Sequence, residues 1–111
     1  LSLTCAAVAL AAPAVASAAV SGKGNGYSLH LGAHMGTLTI PASQVSNGGQ
    51  LLWTVECART KASKPRLVMG VSPLTPGQRR LKAPVARQVA GGSICTVAQN
   101  DQVVAILRVR R

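Results

Sequence analysis

The chain has 111 residues, with 12 Lys and Arg against 2 Asp and Glu, a formal charge of +10, 3 Cys, 6 Pro, 11 Gly and no Phe. This length holds one domain at most and excludes a Rossmann enzyme with a substrate domain, a kinase or a barrel enzyme. Two carboxylates cannot build an oxygen-rich calcium site, so the surface favours anionic partners over cations.

Residues 1–20, LSLTCAAVALAAPAVASAAV, carry no charge. The apolar run Leu3 to Val15 is shorter than the about 20 residues a membrane-spanning helix needs. Pro13 precedes Ala16-Ser17-Ala18, a small-x-small pattern that fits signal-peptide cleavage. Residues 1–18 therefore read as a secretory signal peptide, clipped at its start because neither Met nor a basic segment opens it. Cleavage after Ala18 would leave every basic residue in the exported part. The expected location is secreted, in an oxidising compartment.

Removing the leader removes Cys5 and leaves Cys57 and Cys95, which are expected to form one disulfide. Closing a span of that length carries a loop-entropy contribution of about 4 kcal/mol. Zinc would require more ligands, and no Cys-x-x-Cys is present.

Residues 19–26 read as a flexible polar linker, and 27–111 as the folded domain. Tyr27, Leu29 and Leu31 alternate with Ser28 and His30, and Leu38 and Ile40 with Thr37 and Thr39. This period of two is the half-buried strand pattern. Residues 41–50 form a loop with Asn47-Gly48-Gly49 as a turn signal. Leu51 to Cys57 is the clearest strand: Leu51, Trp53, Val55 and Cys57 share one face, and Glu56 marks the other as wet. A basic loop, 58–66, precedes a strand that places Leu67, Met69 and Val71 together. Residues 72–78 are a Pro-rich turn. Residues 79–89 follow, where Pro84 argues for an edge strand or a break. Ile94 to Ala98, an Asn100-Asp101 hairpin turn and Val103 to Val109 complete the chain.

About seven short strands, spaced roughly every ten residues, predict an all-β fold, a small antiparallel β-sandwich with one disulfide. The strand count and cysteine placement over 27–109 are similar to an immunoglobulin-like sandwich. That likeness implies an architecture without a family. Trp53 lies four residues before Cys57, and no Tyr stands at the corner position before Cys95. Small exported β-rich inhibitors of the subtilisin-inhibitor type carry two disulfides, and the second cysteine pair is missing here, so no reactive-site residue is carried over.

Catalysis is poorly provided for. Serines abound, but Glu56 and Asp101 are the only acids to orient or supply a base, so no enzyme and no cofactor are expected. His30 and His34 lie about 13 Å apart along a strand, too far for one ion. A bend at Gly32 with Met35 nearby would suit copper(I), but the histidines read as solvated and no metal site is expected.

Positive charge is the strong signal. It falls in three groups: Arg59, Lys61, Lys64 and Arg66; Arg79, Arg80, Lys82 and Arg87; Arg108, Arg110 and Arg111. Converging, they would bind polyanions such as teichoic acids, anionic lipid headgroups or acidic polysaccharide. Dispersed, they would serve solubility. The expected function is a secreted basic binding module that contacts anionic cell-surface or extracellular polymers, a membrane or cell wall among them. Nucleic acid is disfavoured, because one Trp and one Tyr offer little base stacking. An extracellular protein is the other class of partner. The stiff loop 72–82, with Arg79-Arg80, would alternatively suit a serine-protease inhibitor. A structural extracellular protein without a specific ligand is the remaining reading.

Overall fold

The computed structural model describes residues 19–44, 51–73 and 77–111. The expected signal peptide, the Asn47-Gly48-Gly49 turn and residues 74–76 of the Pro-rich loop lie outside them. Eight strands appear in chain order: β1 Val20–Gly24, β2 Tyr27–Leu31, β3 Met35–Thr39, β4 Trp53–Ala58, β5 Arg66–Val71, β6 Arg80–Pro84, β7 Ile94–Gln99 and β8 Gln102–Arg108. They form two antiparallel four-stranded sheets, ordered β1-β2-β3-β6 and β5-β4-β7-β8. The only helical element among the described residues is a 3-10 turn, Ala42–Gln44.

Alternation does what the sequence predicts in most strands. Tyr27, Leu29 and Leu31 point into the interior from β2, and Trp53, Val55 and Cys57 from β4, while Glu56 is exposed. The two inner faces meet in one aliphatic core that includes Leu29, Leu38, Ile40, Met69, Leu81 and Leu107, all essentially buried. Burying such side chains contributes about 1.5–3 kcal/mol each relative to leaving them exposed.

Three readings of the sequence need correction. Residues 19–26 are not a linker: they hold β1 and an Asn25-Gly26 turn with φ of 52° and 84°. Both values are positive, as a two-residue hairpin turn of the I′ kind requires. The strand is hard to see because its inward positions are Val20, Gly22 and Gly24. A Cβ on Gly22 would lie 2.6 Å from the Arg108 carbonyl oxygen, so glycine is needed for β1 to close over β8. Ser21 and Arg110 then exchange backbone hydrogen bonds of 2.8 Å across that seam.

The second correction concerns β5. Its buried residues are Val68 and Met69, and Leu67 is exposed. Opposite β4 the register runs Val55↔Met69 and then Glu56↔Leu67, so Val68 is an extra bulge residue. A bulge breaks period two locally and sends two successive side chains inward.

The third concerns the immunoglobulin-like placement of the disulfide. The expected Cys57–Cys95 bond is present, but its cysteines face each other on adjacent strands β4 and β7, with Cα atoms 4.0 Å apart. The bond therefore staples neighbours within one sheet and does not tie the two sheets together.

The edge position read from Pro84 holds, since β6 is a sheet edge and Pro84 its last residue. The Asn100-Asp101 turn also holds, with φ of 48° and 69°.

Candidate basic pocket

The two seams define the ends of the sandwich. Ser21 meets Arg110 on one side, and the Ala86 amide donates to the Val68 carbonyl at 2.7 Å on the other. The β4–β5 loop, the β6–β7 connection and Arg111 thus gather at the same end. The Asn25-Gly26 and Asn100-Asp101 turns gather at the opposite end.

At the first end the chain encloses an open depression of about 690 Å³. Its lining includes Arg59, Lys64 and Arg66 from the β4–β5 loop and strand start, Arg87 from the β6–β7 connection, and Arg111. All five are exposed, and neither Glu56 nor Asp101 lines the depression. Each of the three basic groups read from the sequence contributes to it. A cluster of cations with no Asp or Glu among the lining side chains creates a positive potential that concentrates anions.

Local structure fixes several of these groups. The Thr60 hydroxyl and the Ser63 hydroxyl lie 2.8 Å apart, and the Ser63 amide donates to the Thr60 carbonyl at 3.2 Å, so the loop bearing Arg59 and Lys64 folds on itself. Arg87 Nε donates to the Leu67 carbonyl at 3.0 Å, which holds the guanidinium beside β5. The connection then turns at Gly91-Gly92, where Gly92 has φ of 90°. The Arg111 stem passes beside Gly91 at ordinary van der Waals distance.

The floor between the cations mixes apolar and polar residues. Cys57 and Val68 are buried there, as is the polar Ser93, Ala58 and Val89 are half-buried, Ala90 is exposed, and Val89 also packs on the core. Sequence reasoning missed these floor residues. The Gly91-Gly92 break was visible, but not that it would fold Val89 and Ala90 among the arginines.

The other candidate cations stand elsewhere. Lys61 is exposed in the β4–β5 loop outside the lining. Arg79 Nε donates to the Ile40 carbonyl at 3.1 Å. Arg80 and Lys82 point outward from β6, in cross-strand rows with Thr39, Ser28 and Lys23 and with Thr37, His30 and Ser21. Arg108 is exposed near the end of β8, and Arg110 sits at the β1 seam. The first sheet's outer face is thus hydroxyl-rich and basic. The second sheet's outer face is more apolar, with exposed Leu67, Val103 and Ile106.

The remaining chemical candidates do not assemble. His30 faces outward from β2, and His34 lies in the β2–β3 turn. No group of three or more His, Cys, Asp or Glu that could hold a metal occurs among the described residues. At the opposite end, Tyr27 and Trp53 pack with ring centroids 5.7 Å apart, and neither polar atom has a hydrogen-bond partner. Burial pushes the Tyr27 phenol above its ordinary value.

Comparison with protein-family models, with curated protein sequences and with solved structures returns no match.

Proposed function

We propose that this chain is an exported binding module whose basic end pocket docks the anionic groups of cell-surface or extracellular polymers. The observation that carries this reading is the convergence of Arg59, Lys64, Arg66, Arg87 and Arg111 around one depression whose lining holds no Asp or Glu. Like charges gathered this way repel one another, so their clustering contributes nothing to folding and suits an anionic ligand. A disulfide is compatible with export, and no described helix is long and apolar enough to cross a membrane. The leader reading adds that the exported product begins at Ala19, which N-terminal sequencing of secreted protein checks. The two-sheet, Greek-key-like order keeps an immunoglobulin-like architecture as part of the proposal, although the in-sheet disulfide weighs against it.

The inhibitor alternative is weaker. Arg79 is engaged with Ile40, and Arg80 lies within β6, so neither arginine stands at the tip of a free loop.

The test is binding to a sulfated or phosphorylated polymer at two salt concentrations. Affinity should fall by about 10²-fold or more between roughly 50 and 200 mM salt if several phosphates or sulfates are contacted. Charge reversal at Arg59 and Arg87 together should weaken binding far more than the same change at Arg80 and Lys82. Equal loss from both pairs, or indifference to salt, overturns the reading.

A further inference from the structure

Resting on that reading, we infer that the pocket's ligand is an amphiphilic anion: a phosphate, sulfate or carboxylate head carried on an aliphatic chain. The argument lies in the two layers of the site. The rim supplies cationic donors, and Arg87 is already fixed to the Leu67 carbonyl through Nε, a bond its Nη groups do not share. The apolar part of the floor, Ala58, Val68 and Val89, offers hydrocarbon beside the polar Ser63, Gln88 and Ser93, and the exposed Ala90 extends it outward.

A fully hydrated polyanion would use the rim and leave that floor wet. A ligand with a carbon chain uses both, because it removes apolar surface from water while its head stays on the arginines. The volume of about 690 Å³ falls within the range of small-ligand sites, room for one anionic head together with its chain. The chain should be aliphatic. No aromatic side chain lines the pocket, so sugar rings and bases find nothing to stack on, and Tyr27 and Trp53 are buried at the far end. The head could be free or displayed at a lipid surface, since the chemistry at the pocket is the same.

The experiment is a calorimetric series of inorganic phosphate and butyl, hexyl and octyl phosphate, all kept below micelle formation, on the whole exported chain. Affinity should rise about three- to four-fold for each methylene that reaches the floor, then level off. Val89→Asn should flatten the series, the longer chains losing more affinity than inorganic phosphate does. Ala90→Gln, at an exposed position, should act in the same direction without entering the core. Arg87→Ala should weaken every member.

A flat series in the wild type, with polymer binding intact, overturns this inference and leaves the polyanion reading standing. Failure of both the series and the polymer overturns both. A rise that persists unchanged in Val89→Asn and Ala90→Gln is adsorption elsewhere and also overturns it. Vesicles of anionic lipid separate the sources. Release of the protein from them by octyl phosphate supports the pocket and identifies a lipid headgroup. Octyl-phosphate binding without any vesicle binding supports it with a free amphiphile.

Discussion

The two ends of the sandwich use their polar groups in opposite ways. At the turn end the side chains serve the fold itself. Asn25 Nδ2 donates to the Val104 carbonyl at 2.8 Å, and Asn100 Oδ1 accepts from the Leu52 amide at 2.8 Å. Tyr27 and Trp53 fill the interior beneath. At the basic end, Arg59, Lys64, Arg66, Arg87 and Arg111 surround a depression, with Arg87 tethered through Nε to the Leu67 carbonyl. The difference teaches where to look for function. One scaffold places side chains bonded into its own turns at one end and like charge at the other, and the like-charged end is the one available to a partner.

Variants can break this comparison. The largest effect is expected from Trp53→Ala, which empties the turn-end core and should cost about 3–5 kcal/mol in chemical denaturation. Pocket binding, measured in the surviving folded fraction, should change little. Replacing both Cys57 and Cys95 with Ala should cost about 2–4 kcal/mol. That pair spoils the neat division, because Cys57 lines the basic pocket, so affinity should fall along with Tm.

Asn100→Ala removes the bond to Leu52 and puts a Cβ-bearing residue without Asn's local bonding at φ of 48°. A loss of about 1–2 kcal/mol in a melting experiment is expected, with binding intact. Tyr27 gives the turn end a pH signature. Its folded-state pKa lies above the unfolded value, so the folded state holds the proton more tightly. The corresponding stability is complete below the ordinary phenol pKa, about 10, and is lost as pH rises through the folded value. Denaturation midpoints above that pH should fall less steeply in Tyr27→Phe.

The smallest stability change is expected at the basic end. Arg59→Ala with Arg66→Ala should alter unfolding free energy within about 0.5 kcal/mol, since both side chains are exposed. Anion binding should nonetheless drop sharply. If instead these substitutions destabilise the fold as Trp53→Ala does, the two ends do not differ in kind.

Much of the fold was legible where a strand has one wet face. Thr54 and Glu56 against Trp53, Val55 and Cys57 marked β4, and Asn100-Asp101 marked the last hairpin. The signal failed where glycine replaced apolar side chains, as in β1, although Asn25-Gly26 was itself a strong hairpin cue that deserved a strand before it. It failed again at β5, where Val68 is inserted opposite β4 and alternation no longer reports the face.

The amino-acid sequence by itself determined the class of structure: alternating aliphatic residues with frequent turn residues dictate two-sided strands, and Cys57 and Cys95 supply the one bonded pair. It also set the excess of positive charge, which no arrangement of two carboxylates can offset. Only the tertiary structure decided which cations meet. Arg59, Arg87 and Arg111 are far apart along the chain, and strand order, the seam at Ser21 and the turn at Gly91-Gly92 bring their segments to one end. It likewise decided that the disulfide joins neighbours in one sheet, because pairing partners follow from long-range register, which periodicity within a single strand does not contain.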